Sequence, residues 1–389
     1  MKTSRKIMIV AGETSGDSHA AKLVRAIRDA EPELDHIFFG AAGPKMREAG
    51  VEAVVEADGL SIVGLAEIGR ALPKFLRAFR DLKNAAAERN PDAVILVDFP
   101  DFNLKLAKSL KKRGLKVIYY ISPQLWAWRE YRIRSIRKYV DLLITILPFE
   151  KDWYAAKGVT HVEYVGSPLA REVHSDRTRD EFCRDHDLDT TRPVISLLPG
   201  SRHKEIVRIL PVMLEAAAEI GRSRADVQFV VCAASKASRS DIDSAIAVAD
   251  CDDLSLTVVE NETYDAVKGS DCAAVTSGTA TLEAGILGTP MVVVYKTSTI
   301  NYALLEPLIS VDHYGLINLI AGERVAKELI QHEFTSKTLS EELVRLLDPQ
   351  VNATMRAQLH QTSDKLGHGG ASKRAAEAIL RLLDSPNAA

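Results

Sequence analysis

Cysteine is scarce in this chain, and the four present are scattered. Cys183, Cys232, Cys251 and Cys272 include no CxxC pair and have no histidine at ligand spacing. That excludes a disulfide framework and a structural zinc site. Cys232 and Cys272 fall inside apolar runs, where buried thiols are the ordinary outcome, so a reducing compartment is expected. An excess of one charge is missing too: 50 basic residues stand against 53 acidic ones, a formal net charge of -3. That balance gives no case for nucleic acid as a partner. Long apolar runs are also absent. Residues 7–10 are far too short for a signal peptide, and no stretch approaches the length of a spanning helix. A soluble or peripheral protein is expected. Repeats and low-complexity segments are missing, and the loop after the first apolar run lacks the GxGxxG spacing of a nicotinamide fingerprint.

What is present is alternation. Short β-branched runs at 7–10, 37–39, 93–97, 117–121 and 142–147 are separated by helical patterns. A second series follows at 194–198, 229–232, 254–259, 273–275 and 291–294. Ala20, Leu23, Val24 and Ile27 have the spacing of one helix face. Apolar strands separated by helices mean parallel sheets covered on both faces. A chain of 389 residues is long for one core. The expected fold class is therefore α/β, two doubly wound Rossmann-like domains facing across a cleft. The domains are expected at 1–166 and 167–366. Residues 367–389 form a closing helix, free to pack back on the N-terminal domain. Ligands of such sheets bind outside the carboxyl ends of the strands.

The chemistry-bearing residues gather at those ends. Two Gly-containing elbows each lead from a strand-like run into a helix: Leu198-Pro199-Gly200-Ser201-Arg202 and Ser277-Gly278-Thr279-Ala280-Thr281-Leu282-Glu283. A helix start offers free N–H groups and the positive end of its dipole, which suits a diphosphate. Glu283 suits ribose hydroxyls. A capping box is the plainer alternative for Glu283, but that motif wants its acid at 280, which is Ala. Near the N-terminus, Gly12, Glu13, Ser15 and Asp17 form an acidic loop suited to sugar hydroxyls, with helix capping an equal alternative for Asp17. Asp98 ends an apolar run beside Phe99 and before Pro100. Partial desolvation there raises a carboxylate toward the pKa of a general base. Asp98 and Glu13 both stand as candidates for that role. Gln124, Trp126 and Arg129 end another run, where aromatic faces can stack on sugars or line an acyl cleft. A solvated helix face is the alternative for the cations that follow. No DxD-like pair or His/Cys cluster lies beside the elbows, so neither a metal nor a cofactor is expected.

Residues 60–82 combine many apolar side chains with Arg70, Lys74, Arg77 and Arg80, against only Glu67 and Asp81 as acids. A core-facing amphipathic helix and contact with an anionic membrane surface both fit this pattern.

Taken in order, these motifs resemble the lipid-A-disaccharide synthase family. They are joined by Ala11-Gly12-Glu13-Thr14-Ser15-Gly16-Asp17, Asp98-Phe99-Pro100-Asp101-Phe102-Asn103, Ser122-Pro123-Gln124-Leu125-Trp126-Ala127-Trp128-Arg129, Leu147-Pro148-Phe149-Glu150, Asn318-Leu319-Ile320-Ala321-Gly322 and Gly370-Ala371-Ser372. The resemblance implies a GT-B glycosyltransferase fold, with an N-terminal acceptor- and membrane-facing domain and a C-terminal UDP-sugar domain. It implies transfer of a diacylglucosamine from UDP-2,3-diacylglucosamine to 2,3-diacylglucosamine 1-phosphate (lipid X), releasing UDP. Glu283 would hold the uridine ribose, Asn318 another part of the donor, and Arg202 with 277–280 the diphosphate. A cytoplasmic enzyme, peripheral on the inner face of the membrane, is implied, with the oligomeric state left open. One position departs: Ser167 stands where the family usually has His. A UDP-N-acetylglucosamine 2-epimerase and a non-catalytic nucleotide or lipid carrier remain the alternatives.

Overall fold

In the computed structural model the chain divides into two compact units, Met1–Pro168 with Gly369–Ala389, and Leu169–His368. The structure describes residues 4–57, 65–249, 251, 254–299, 302 and 311–385, and the side chains of all of these except 65–71. Each unit is built on one parallel sheet.

The first unit carries β1 (Ser4–Ala11), β2 (Asp35–Ala42), β3 (Glu52–Glu56), β4 (Ala93–Val97), β5 (Val117–Tyr120), β6 (Leu142–Thr145) and β7 (Val162–Tyr164). Their order is β3-β2-β1-β4-β5-β6-β7, all neighbours parallel. The central strands are apolar throughout because both faces are covered. Ile7 and Ile9 pack with Leu23, Val24 and Ile27 on one face, while Met8 and Val10 pack with Ala78, Leu82 and Leu106 on the other. Each such side chain, fully buried, contributes roughly 1.5–3 kcal/mol. The last helix, Ala371–Asp384, belongs to this first unit and seals the face shared with the helix Thr14–Ala30. Polar ties hold it there: Arg5 to Asp384 at 2.7 Å, and Arg374 Nε to the Val165 carbonyl at 2.8 Å.

The second unit carries β8 (Val194–Leu198), β9 (Gln228–Ala233), β10 (Leu256–Glu260), β11 (Cys272–Thr276), β12 (Met291–Tyr295) and β13 (Lys327–Ile330). The order is β10-β9-β8-β11-β12-β13, again parallel. Both sheets are doubly wound α/β structures, the fold class expected. All four cysteines are free and buried.

The winding fixes where ligands go. In each sheet the strand order reverses at one point, between β1 and β4 and between β8 and β11. A crevice opens at the carboxyl ends of such a pair. Gly12 and Glu13 follow β1 and Asp98 follows β4, whose last residues Ala11 and Val97 are in register. Gly200 follows β8 and Ser277 follows β11, again from registered neighbours.

Candidate active site

In the first unit, β4 ends in two consecutive left-handed residues that are not glycine, Asp98 (φ 47°) and Phe99 (φ 51°). Each such residue costs roughly 1–2 kcal/mol. Phe99 also precedes Pro100, the first residue of the helix Pro100–Lys111. The turn is held by its own hydrogen bonds. The Asp98 N–H donates to the Tyr120 carbonyl at 3.0 Å. The Asp98 carbonyl accepts from the Tyr119 hydroxyl at 2.6 Å and from Asn103 Nδ2 at 2.8 Å.

The Asp98 carboxyl is pushed up to about 6, first by burial and then by the nearby charge of Glu13; a hydrogen bond from the Phe99 N–H opposes this. Glu13 caps the helix Thr14–Ala30 through its backbone only, and its side chain is exposed, as are those of Thr14 and Ser15. Gly12 is buried for a steric reason. A Cβ there would lie 2.4 Å from the Phe99 ring, so the ring can seat only on a glycine. That ring belongs to an aromatic layer, stacked on Phe102 at 5.5 Å and next to Phe75 at 6.0 Å.

Asp17 does not join this site. It is 3 % exposed, and its oxygens accept the N–H groups of Gly43, Lys45 and Met46 at 2.9 to 3.1 Å. It serves the start of the short helix Pro44–Glu48 rather than its own, and both of its oxygens are engaged there. Trp126 is also a correction. Its indole is buried, donates to Glu150 Oε1 at 3.1 Å and meets Phe149 edge-on. Glu150, itself buried, collects Ser122 Oγ, Trp126 and the N–H groups of Ile146 and Leu147. The motif from Ser122 to Trp126 is thus folded around a carboxylate. Gln124 is exposed. Arg129 lies over the exposed Trp128 ring at 4.1 Å and pairs with Asp101 at 3.1 Å, as Arg132 also does.

Within the second unit the two elbows line one cavity of about 840 Å³, a size suited to a nucleotide. Thr276 Oγ1 donates to the Leu198 carbonyl at 2.8 Å and ties the elbows together. Gly278 has φ 149°, open only to glycine, and starts the helix Thr279–Ile286. Gly278, Thr279 and Ala280 therefore present the helix start to the cavity, and the first N–H groups of a helix have no partner inside it. The Ser277 N–H is not among them: it donates to the Val294 carbonyl, and the Ser277 hydroxyl to that of Tyr314. The Arg202 side chain is 76 % exposed and pairs with Glu205 at 2.8 Å. Glu283 does not cap its helix. It lines the cavity, bonded to Tyr264, and burial pushes its carboxyl up. Tyr264 is itself pushed up to about 12, by burial first and then by Glu283.

Asn318 is brought to none of this. Fully buried, it donates to the Ala326 carbonyl and Glu328 and accepts from the Ala326 N–H. Its role is to brace the segment whose Tyr314 carbonyl receives Ser277. Sequence reasoning missed Tyr264, Glu205, Tyr119 and Asn103. The carboxyl-end rule reaches Tyr264, just past β10. Nothing local marks Tyr119, whose partner lies in the turn that follows another strand. Among the described residues, no group of three His, Cys, Asp or Glu side chains is arranged to hold a metal ion.

Comparison with known proteins adds to this geometry. The family described as Lipid-A-disaccharide synthetase matches residues 7–382. The chain is 42% identical over 381 residues to the lipid-A-disaccharide synthase of Trichlorobacter lovleyi, covering 98% of each. To that of Myxococcus xanthus it is 43% identical over 384 residues, 98% of this chain and 99% of the other. Among solved structures it is similar to the UDP-GlcNAc 2-epimerase from Neisseria meningitidis bound to UDP-GlcNAc. There the TM-score is 0.63 at 13% identity, covering 98% of this chain and 100% of that one. The calicheamicin glycosyltransferase CalG4 gives 0.58 at 13% identity, covering 98% of each. Likenesses at such low identity show a shared fold and no more.

Proposed function

Since the chain belongs to the lipid-A-disaccharide synthase family, we propose that Asp98 is the base of its sugar transfer and that the cavity of the second unit holds the nucleotide. The activity is that of a glycosyltransferase building the lipid A disaccharide. The proposed donor is UDP-2,3-diacylglucosamine and the acceptor 2,3-diacylglucosamine 1-phosphate. Asp98 takes the proton of the acceptor 6-hydroxyl as that oxygen bonds to the anomeric carbon. The bond from that carbon to the UDP oxygen breaks on the opposite face, so the configuration inverts. UDP departs with the electron pair, and its charge is met by Arg202 and the N–H groups of 278–280. Glu283 takes the ribose hydroxyls, with Tyr264 fixing its orientation. Glu13, whose charge raises the Asp98 carboxyl, contacts the acceptor in this proposal. Arg129 is a candidate for the acceptor phosphate.

The observation that carries this reading is the half-buried Asp98 carboxylate, pushed up to about 6 in a turn at the switch point of its sheet. A base in that range is ionised at neutral pH and still a competent proton acceptor. The test is incubation with both acylated substrates, with and without a strong chelator. Disaccharide 1-phosphate and UDP should appear in both arms. Epimerisation of UDP-N-acetylglucosamine supplied alone would overturn the transferase reading.

Contact with a membrane surface is part of the proposal. No helix among the described residues is long and apolar enough to cross a membrane. In the helix Leu65–Arg89, however, Leu72 is 55% and Leu76 63% exposed, beside the exposed Lys74, Arg77 and Arg80. Phe75 and Phe79 of the same helix turn inward to the core. The two readings of 60–82 thus divide by helix face. Residues 60–64, and the side chains up to 71, lie outside the described residues.

A further inference from the structure

We propose that Tyr119 and Asn103 are positioning residues for the transfer, jointly holding the Asp98 main-chain carbonyl so that the Asp98 carboxylate is aimed out of its left-handed turn. The inference rests on the reading of Asp98 as the base. A carbonyl oxygen has two lone pairs, and both are taken. The Tyr119 hydroxyl donates to it from β5 at 2.6 Å, and Asn103 Nδ2 from the helix Pro100–Lys111 at 2.8 Å. The same amide reaches back to the Val97 carbonyl at 3.2 Å. Both donors are fully buried and stand on regular elements. Their grip therefore fixes the plane of the 98–99 peptide. The Asp98 N–H, donated to the Tyr120 carbonyl at 3.0 Å, holds the peptide before it, so the two planes flanking the Asp98 Cα together set the direction of its side chain.

Asn103 shows what this arrangement costs. Its Oδ1 is buried with no hydrogen-bond partner. A buried unpaired acceptor destabilises a fold, so an asparagine here is poorly explained by core stability alone. Its amide serves the two carbonyls at the end of β4, one of them that of Asp98. Tyr119 shares the electrostatics of the site, with burial, Asp98, Arg132 and Asp101 all acting on its hydroxyl.

The test compares Tyr119→Phe and Asn103→Ala with the parent enzyme, each also in an Asp98→Asn background. The readouts are kcat, donor KM, the acidic limb of the pH profile and the melting temperature. Tyr119→Phe should lower kcat roughly tenfold, the scale of a small misplacement of a reacting group, with donor KM unchanged and the acidic midpoint displaced. Asn103→Ala should lower it further. In the Asp98→Asn background neither change should matter. Unchanged kcat and pH midpoint beside a lowered melting temperature would overturn the proposal, since the bonds would then only stabilise the turn. Penalties that multiply with Asp98→Asn would overturn it as well. Full turnover by Asp98→Asn alone would instead remove the base assignment, and the proposal with it. Should Asn103→Ala fail to fold, Tyr119→Phe decides, because it deletes a single oxygen.

Discussion

The two switch points occupy the same place in two similarly wound sheets, yet they are built from opposite materials. At the first, the backbone takes left-handed conformations on Asp98 and Phe99, neither of them glycine, and the groups presented are carboxylates. At the second, glycine makes the turn, and the groups presented are a helix start and an exposed arginine. Strain, desolvation and an aromatic backing suit a base that must keep one geometry and a raised pKa. Open donors and an exposed cation suit a phosphate that arrives and leaves in each cycle. The winding says where ligands bind; the residues at the turn say which kind.

The largest expected effect separates the two at once. Asp98→Asn should lower kcat by a factor of about a hundred or more while leaving donor KM unchanged. In the parent enzyme, activity should fall as pH drops through about 6, where the Asp98 carboxyl takes up its proton. The stability effect has the opposite sense. A carboxyl whose pKa is raised by folding binds its proton more tightly in the folded state, so the fold is favoured as pH falls through that value. Asp98→Asn should therefore melt above the parent at pH 8, with the gap closing toward pH 5. A base without strain or desolvation would show neither trend.

Gly12→Ala comes next and tests the aromatic backing. Its methyl would meet the Phe99 ring at 2.4 Å. Overpacking of this kind costs about 1–3 kcal/mol, and the ring can yield only by moving the turn that carries Asp98. Both melting temperature and kcat should fall, donor KM little. On the other side of the comparison, Glu283→Ala should raise donor KM roughly tenfold, the scale of one charged hydrogen bond, with kcat nearly intact. If Glu283→Ala instead abolished turnover at saturating donor, the division into a chemical and a binding switch point would be wrong.

How much of this the sequence reveals follows from what each residue touches. The apolar runs at 93–97 and 194–198 became strands with those bounds because buried central strands are apolar on both faces. The strands that escaped notice are β3, β7 and β13, each at the edge of its sheet and each carrying charge, as in Lys327-Glu328-Leu329-Ile330. An edge strand has only one neighbour to satisfy, and its pattern fades accordingly. Asp98 is legible as an acid closing an apolar run before a proline. Asp17 and Asn318 misled for the converse reason. Their polarity is visible, while the backbone groups they serve lie at Gly43, Lys45 and Met46, or at Ala326, and appear only on folding.

The smallest effect on folding and turnover is expected at the surface next to the first switch point. The layer behind Phe99 continues through Phe75 into the helix Leu65–Arg89, whose other side exposes Leu72 and Leu76. That aromatic layer beside the first switch point is where an acylated substrate or a lipid surface should be met. Leu72→Ser with Leu76→Ser removes apolar area that is already in water. It should therefore change stability by about 0.5 kcal/mol or less and leave kcat on detergent-dispersed substrates unchanged. Each leucine buried in lipid would contribute roughly 1.5–3 kcal/mol, with the neighbouring cations adding attraction to anionic headgroups. The double variant should accordingly stay in the supernatant when anionic vesicles are sedimented, while the parent pellets. Phe79→Ser is the control from the inward face. Its ring meets Phe102 edge-on at 5.7 Å, and its loss should cost on the order of 2 kcal/mol of stability without restoring or removing vesicle binding. A leucine variant that still pelleted with the parent would show that this face does not meet the membrane, and the contrast between the two switch points would then end at their carboxylates and phosphate donors.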